Sequence, residues 1–500
     1  MAESKLMRCR GIGLGLLLAA GVAGAQQAPE LMADPQRRPS VTLGSDVRSL
    51  TIRSAILDQS RQIRIVLPAS YAVSASTRRY PVAIVLDGET TLAATAAVSD
   101  ELARNGLIPE SIIVAVENVG GLRGRVRDLT PPGLSVSGSS LQEGGDRFLD
   151  FIERELLPAV DRQFRGGEPR TLIGHSSGGI LATYAAATRP SYRAVIAIDT
   201  PIDLGDNWLA GKLTAATHSG RPLRYVSYEA RFGWPESAWH ALVSAAPASW
   251  LLRREPLRLE GHETLYMLGA YLGLREVFYD YSRLVTQEKP AATVLQYYAS
   301  LTKLLGGDMP PPRSLLRTLI DDLNAEGRGS AARAAYEVLA GAYGVPADST
   351  QLLAEVSTAE RRPEPTETVE SLLATPFPNP EEARRFIGDW VGDQWMTREQ
   401  PRTGQVTLRI RVEDGKVTGQ LLNPTAPPEL RVRKLDYLRV TPAGLTYGLL
   451  NGMRPRGVVM WEGTLEGDTL AGTQRWGGVS FPAPADSTLE PGFSFRRAAR

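Results

Sequence analysis

The sequence has almost no cysteine and few histidines. Its 500 residues hold one Cys, at position 9, and four His. A lone Cys closes no internal disulfide, so a small stapled scaffold is excluded and large cores must supply the stability. An excess of either charge is also missing: 56 Lys and Arg stand against 55 Asp and Glu. With no basic block in the chain, nucleic acid is not an expected partner. Beyond the N-terminus, no apolar run is long enough to cross a membrane.

What is present starts at the N-terminus, MAESKLMRCRGIGLGLLLAAGVAGAQQAPE. Lys5, Arg8 and Arg10 precede an apolar run over residues 11–20, and Ala23-Gly24-Ala25 supplies small residues for cleavage. This pattern predicts a secretory signal over residues 1–25, with Gln26 as the first mature residue. Cys9 lies before the apolar run, where no lipid anchor is expected. The expected location is periplasmic or secreted, in a bacterium. About 475 mature residues suggest two or three domains.

Alternating runs in residues 41–70 (TIRS, IRIVLP) predict antiparallel strands opening a sheet. The unbroken apolar runs in RYPVAIVLDGE, SIIVAV and AVIAI are the pattern of strands buried on both faces. Helices are predicted over residues 91–105, in GGDRFLDFIERELLPAVDRQF and over residues 179–187. RYVSYE and LRLEG are predicted as the last two strands. Strands alternating with helices mean a mostly parallel α/β sheet covered on both faces. The predicted domains are a catalytic α/β unit over 26–300 and a helical segment over 301–350. A proline-bearing linker follows over 351–385, then an all-β domain over 386–500, whose strand–turn–strand repeats suit a small barrel or sandwich. Trp390, Trp395, Trp461 and Trp476 there could line a binding face or form a core.

TLIGHSSGGI, residues 171–180, places Gly174-His175-Ser176-Ser177-Gly178 between a strand and a helix. That is the setting of a nucleophile elbow, in which glycines allow a strained turn. The G-x-S-x-G frame makes Ser176 the nucleophile. Ser177 is then expected to offer its backbone N–H to an oxyanion, helped by the helix N-terminus behind it.

A serine nucleophile needs a base. Of His175, His218, His240 and His262, only His262 follows the late strands in an open loop, so it is the expected base. His175 is inside the elbow, His218 in a surface turn and His240 on a helix. An acid between serine and histidine would fix the tautomer of His262. Glu229, directly after RYVSY, is preferred, with Glu236, Asp199 and Asp203 as alternatives. The second oxyanion donor is expected in the VLDGE turn, from the backbone N–H of Gly88 or Glu89.

The blocks IRIVLPASY, RYPVAIVLDGE, RVRDLTPP, GGDRFLDFIERELLPAVDRQF, LIGHSSGG and LEGHETL, in this order from about residue 44 to 280, resemble the putative-esterase family that includes esterase D and enterochelin-esterase-like proteins. The resemblance implies an α/β-hydrolase fold, a Ser-acid-His triad and ester hydrolysis, siderophore-type esters among the substrates. It places Asp128, in DLTP, at the site entrance. Where members commonly read SPSLWW this chain reads DTPIDLGDNW, with Trp208 in the corresponding role of substrate contact. The chemistry needs no metal or organic cofactor. The expected partner is a small ester, with the β domain binding an envelope ligand or packing on the catalytic domain. The rival readings are an acyltransferase or amidase on the same triad, and a non-catalytic periplasmic binding protein.

Overall fold

The computed structural model of the chain describes residues 31–33, 46–134, 143–283, 291–345, 348–361, 367–395, 405–451, 457–477 and 492–498. The predicted signal segment lies outside these residues.

Nine strands form the first sheet among the described residues: β1 (Leu31–Ala33), β2 (Asp46–Ser54), β3 (Gln59–Leu67), β4 (Tyr80–Val85), β5 (Ile112–Val116), β6 (Gly166–His175), β7 (Ala194–Ile198), β8 (Leu223–Glu229) and β9 (Trp250–Pro256). Their order is β1-β2-β3-β5-β4-β6-β7-β8-β9. The pairs from β1 through β3 to β5 are antiparallel, and all pairs from β5 to β9 are parallel. Every residue of β4, β5 and β7 is buried. Each Val or Ile in them contributes about 1.5–3 kcal/mol of burial, which is why their apolar pattern is continuous and not alternating. The last strand is not LRLEG but the stretch just before it. β9 is a half-exposed edge strand with two arginines and so gives a weak apolar signal, while Leu259 of LRLEG is fully exposed.

Helices cover both faces. One core holds residues from the helical stretch 145–164, from helix Ser177–Thr188 and from helices Leu204–Ala216 and Glu236–Ala245. The other holds helices Gly88–Arg104 and Leu265–Val277 and continues into Ala291–Leu305, Arg313–Ala325, Gly329–Tyr343 and Ser349–Glu360. The helical segment therefore extends the catalytic unit's second face. Helix Ser349–Glu360 occupies part of the stretch read as linker, because Leu352 and Val356 are buried in that core.

The second sheet is antiparallel: β10 (Gly388–Trp395), β11 (Val406–Glu413), β12 (Lys416–Leu422), β13 (Val432–Lys434), β14 (Tyr437–Val440), β15 (Gly444–Asn451), β16 (Gly457–Glu466), β17 (Thr469–Gly477) and β18 (Gly492–Arg497). Its order, β13-β12-β11-β10-β18-β17-β16-β15-β14, puts consecutive strands at its two edges. At the join, Leu435 donates its N–H to Gly419 of β12 and Asp436 donates to Gly448 of β15. One bent segment thus changes partner, and the sheet rolls toward a barrel. Trp390 and Trp461 are inside its core, Trp461 stacked on Tyr447, so they fill the barrel and form no outward face. Trp395 is half-buried.

Candidate active site

The carboxyl ends of the parallel strands bring several chain reversals to one edge of the sheet, where open α/β sheets bind ligands. β4 leads to Asp87, β6 to Ser176 and β7 to Asp199, and β8 ends on Glu229.

Ser176 joins β6 to helix Ser177–Thr188 with φ 57° and ψ −120°. Non-glycine residues rarely adopt this region, at a cost of about 1–3 kcal/mol. The Ser176 N–H donates to the carbonyl of Ile198 at 2.9 Å, which ties the turn to β7. The glycines make the turn possible by close approach. A Cβ on Gly174 would lie 2.1 Å from the Gly178 oxygen, and one on Gly179 would lie 1.9 Å from Thr200 Oγ1. The strand and helix meet more closely than any side chain there would permit.

His262 lies in the turn before helix Leu265–Val277. Its Nδ1 is 2.6 Å from Asp199 Oδ2. A carboxylate only accepts, so Nδ1 carries the proton and Nε2 is left to take one. The imidazole has no other hydrogen-bond partner among the described residues. Asp199 is fully buried. Its Oδ1 accepts the backbone N–H groups of Ala230, Arg231 and Phe232, each at 2.8 Å. Burial pushes the Asp199 carboxyl up, but the bonds from His262 and the three N–H groups outweigh it and hold it below the usual carboxylate range. The Phe232 ring stands edge-on to His262, 5.3 Å away.

The carboxylate against His262 is therefore Asp199 and not Glu229, the residue preferred from sequence. Glu229 Oε1 accepts the Trp234 N–H at 2.9 Å, and both its oxygens lie 3.0 Å from Arg254 Nε. Burial raises the Glu229 carboxyl above its usual range, against those bonds. Glu236 is exposed and pairs with Arg254 at 2.6 Å, and Asp203 is exposed. Sheet order supplies the physical reason: β7 lies directly beside β6, whereas β8 is one strand further away.

Gly88 and Glu89 open helix Gly88–Arg104, and Ser177 opens the helix after the elbow. First-turn N–H groups have no intrahelical acceptor. Asp87, at φ 56°, is held by Arg125 through Nε at 2.6 Å and Nη2 at 2.9 Å. Asn118 Nδ2 donates to Asp87 and Glu89 at 2.7 Å each, and its N–H reaches Glu89 at 3.2 Å. A Cβ on Gly178 would lie 3.2 Å from Asp87 Oδ2, so the two helix N-termini meet. Their dipoles make this place favourable for negative charge. Sequence reasoning missed Arg125 and Asn118: one of several arginines in a run and a lone loop asparagine carry no distinguishing spacing.

Asp128 is not at an entrance. It is buried and paired with Arg61, itself buried, and with Arg127 at 2.8 Å. Trp208 is half-buried, stacked on Tyr184 and against Gly133 of the segment that follows Asp128. His218 and His240 are exposed. His175 packs against His262 with ring centroids 4.5 Å apart.

Residues 54–219 match the family described as "Putative esterase". A curated relative, the siderophore triacetylfusarinine C esterase of Aspergillus fumigatus, is 36% identical over 118 residues, 22% of this chain and 40% of that protein. The chain thus spans about two fifths of that relative's length. Among solved structures, an IroE-like serine hydrolase from Shewanella oneidensis is 25% identical, over 63% of this chain and 99% of its own, with TM-score 0.48. Siderophore hydrolase EstA from Aspergillus nidulans is 17% identical, over 49% and 98%, with TM-score 0.41.

Proposed function

Because residues 54–219 match the family described as "Putative esterase", we propose that this protein is a serine hydrolase of carboxylic esters. The observation that carries the reading is the Asp199–His262 bond, formed across 63 positions of sequence. It lies on the sheet edge that holds Ser176 in a strained turn.

Ser176 Oγ attacks the ester carbonyl carbon while His262 Nε2 takes its proton. Asp199 keeps the proton of the neutral ring on Nδ1 and stabilises the imidazolium. The N–H groups of Ser177 and of Gly88 or Glu89 receive the oxyanion. His262 then protonates the leaving alcohol, and water repeats the sequence on the acyl-enzyme. The curated relative is a siderophore esterase by name, which supports a siderophore-type or other small ester as substrate. The signal pattern of residues 1–25 supports an exported location, periplasmic or secreted. No helix among the described residues is long and apolar enough to cross a membrane. For the barrel we propose binding of an envelope ligand or packing on the catalytic unit.

The test is labelling with a fluorophosphonate, followed by mapping of the modified peptide. The expected result is one adduct on Ser176, with Ser176→Ala folded, unlabelled and inactive. An active Ser176→Ala protein, or an adduct on another residue, would overturn the assignment.

A further inference from the structure

His175 precedes Ser176 and does not enter the reaction sketched above. Its Nε2 lies 2.8 Å from the backbone carbonyl oxygen of His262. A carbonyl only accepts, so His175 carries a proton on Nε2 and donates it to this bond. The His175 ring packs against the His262 ring and meets Tyr266 edge-on at 5.9 Å. Tyr266 is anchored in turn by a 2.7 Å hydroxyl bond to Thr95 of helix Gly88–Arg104.

The loop bearing His262 has little else to hold it. Leu259, Gly261, Glu263 and Thr264 are exposed. Its start is tied to β8 by the Leu257 N–H, which donates to the Glu229 carbonyl at 2.7 Å, and nearer His262 its bonds are local, Gly261 N–H to Thr264 Oγ1 at 2.9 Å and Leu265 N–H to the Gly261 carbonyl at 3.1 Å. The Asp199 bond and the Phe232 ring orient the imidazole, but neither holds the backbone of His262. The His175 bond grips the backbone of the same residue from β6, the strand that carries the nucleophile.

We propose, on the serine-hydrolase reading above, that His175 is a positioning residue. Its Nε2–H fixes the His262 backbone so that the His262 Nε2 faces Ser176. A neutral His175 suits this role, since a second charge beside the imidazolium would oppose it. Burial, and then the His262 ring, hold His175 below the usual imidazole range, against the nearby carboxylates of Glu263 and Asp199.

The test compares two variants of the full chain. His175→Phe keeps a ring against His262 and Tyr266 and removes the donor. His175→Gln carries an amide N–H the same number of bonds from the backbone as the lost Nε2–H. Misplacement of a reacting group by about 1 Å costs on the order of 100-fold. The rate of fluorophosphonate labelling is therefore expected to fall roughly 10- to 100-fold in His175→Phe and to stay within about threefold of wild type in His175→Gln. With p-nitrophenyl butyrate the loss is expected in kcat, with KM nearly unchanged. A His175→Phe protein that labels at the wild-type rate, or equal losses in both variants, overturns the positioning role while leaving the hydrolase reading intact. A wild type that takes no fluorophosphonate overturns the hydrolase reading and this inference together.

Discussion

Replacing Asp199 by Asn tests the site at its least exposed point. The change is isosteric, and the three N–H groups of Ala230, Arg231 and Phe232 select which end of the amide faces them. They require an acceptor, so the amide oxygen takes the place of Oδ1 and the NH₂ turns to His262. An NH₂ only donates, so Nδ1 must give up its proton and the ring carries it on Nε2. That tautomer cannot accept the proton of Ser176. Asparagine in the acid position of a serine triad costs about 10⁴-fold in kcat, or about 5.5 kcal/mol at about 1.4 kcal/mol per decade. The assay is p-nitrophenyl butyrate hydrolysis together with the rate of fluorophosphonate labelling. Melting near neutral pH should fall modestly, since every buried N–H keeps an acceptor but loses the charged one. The pH dependence of stability should change. The Asp199 carboxyl is held below its ordinary value, so its contribution is present above the unfolded pKa and is lost as pH falls through the folded one. Acid unfolding of the wild type should therefore be steeper below about pH 4 than that of Asp199→Asn. An Asp199→Asn protein retaining a tenth or more of wild-type activity would refute the reasoning.

Glu229→Gln keeps an acceptor for the Trp234 N–H, so kcat should fall less than tenfold, with the acid limb of the pH–rate profile in place; a loss equal to that of Asp199→Asn would return the role of acid to Glu229. Asp128→Asn leaves the buried Arg61 guanidinium short of its counter-charge, at a cost of about 3–5 kcal/mol. The melting temperature should drop by roughly 10 °C, while KM of the folded fraction stays the same; a changed KM with unchanged melting would place Asp128 at the substrate after all. Gly174→Ala presses a methyl group onto the Gly178 backbone, which cannot rotate away as a side chain could. Strain of about 1–3 kcal/mol or more should appear as lowered melting and lost labelling, and a stable, fully labelled variant would mean that the elbow relaxes.

The parallel strands were legible because burial on both faces leaves an unbroken apolar run, as in β4, β5 and β7. The strained strand-to-helix turn at Ser176 was legible because its glycines are required by close approach. β9 was missed because a half-exposed edge strand tolerates arginines. The carboxylate that meets His262 stands at a different strand end from the one preferred, because sequence offers only an order of residues. Asp199, Asp203, Glu229 and Glu236 all lie between Ser176 and His262. Adjacency of β7 to β6 decides among them, and it exists only in the folded sheet. One signal was available: Asp199 directly follows a fully apolar strand, where an acid is costly unless something binds it. The three N–H groups that do so are backbone, and no side chain announces them. Asp128 misled for a related reason, since a carboxylate beside several arginines reads the same whether the pair lines a cleft or lies beneath it.

The rolled sheet bears on how the chain is made. β18 (Gly492–Arg497) pairs with β10 on one side and with β17 on the other. During synthesis the barrel cannot close until β18 has left the ribosome, and until then β10 and β17 are open strand edges. Phe493 and Phe495 of β18 belong to the barrel core. A stop codon or protease cut just before Gly492 would therefore uncover two edges and the interior at once, the combination most apt to recruit a second chain.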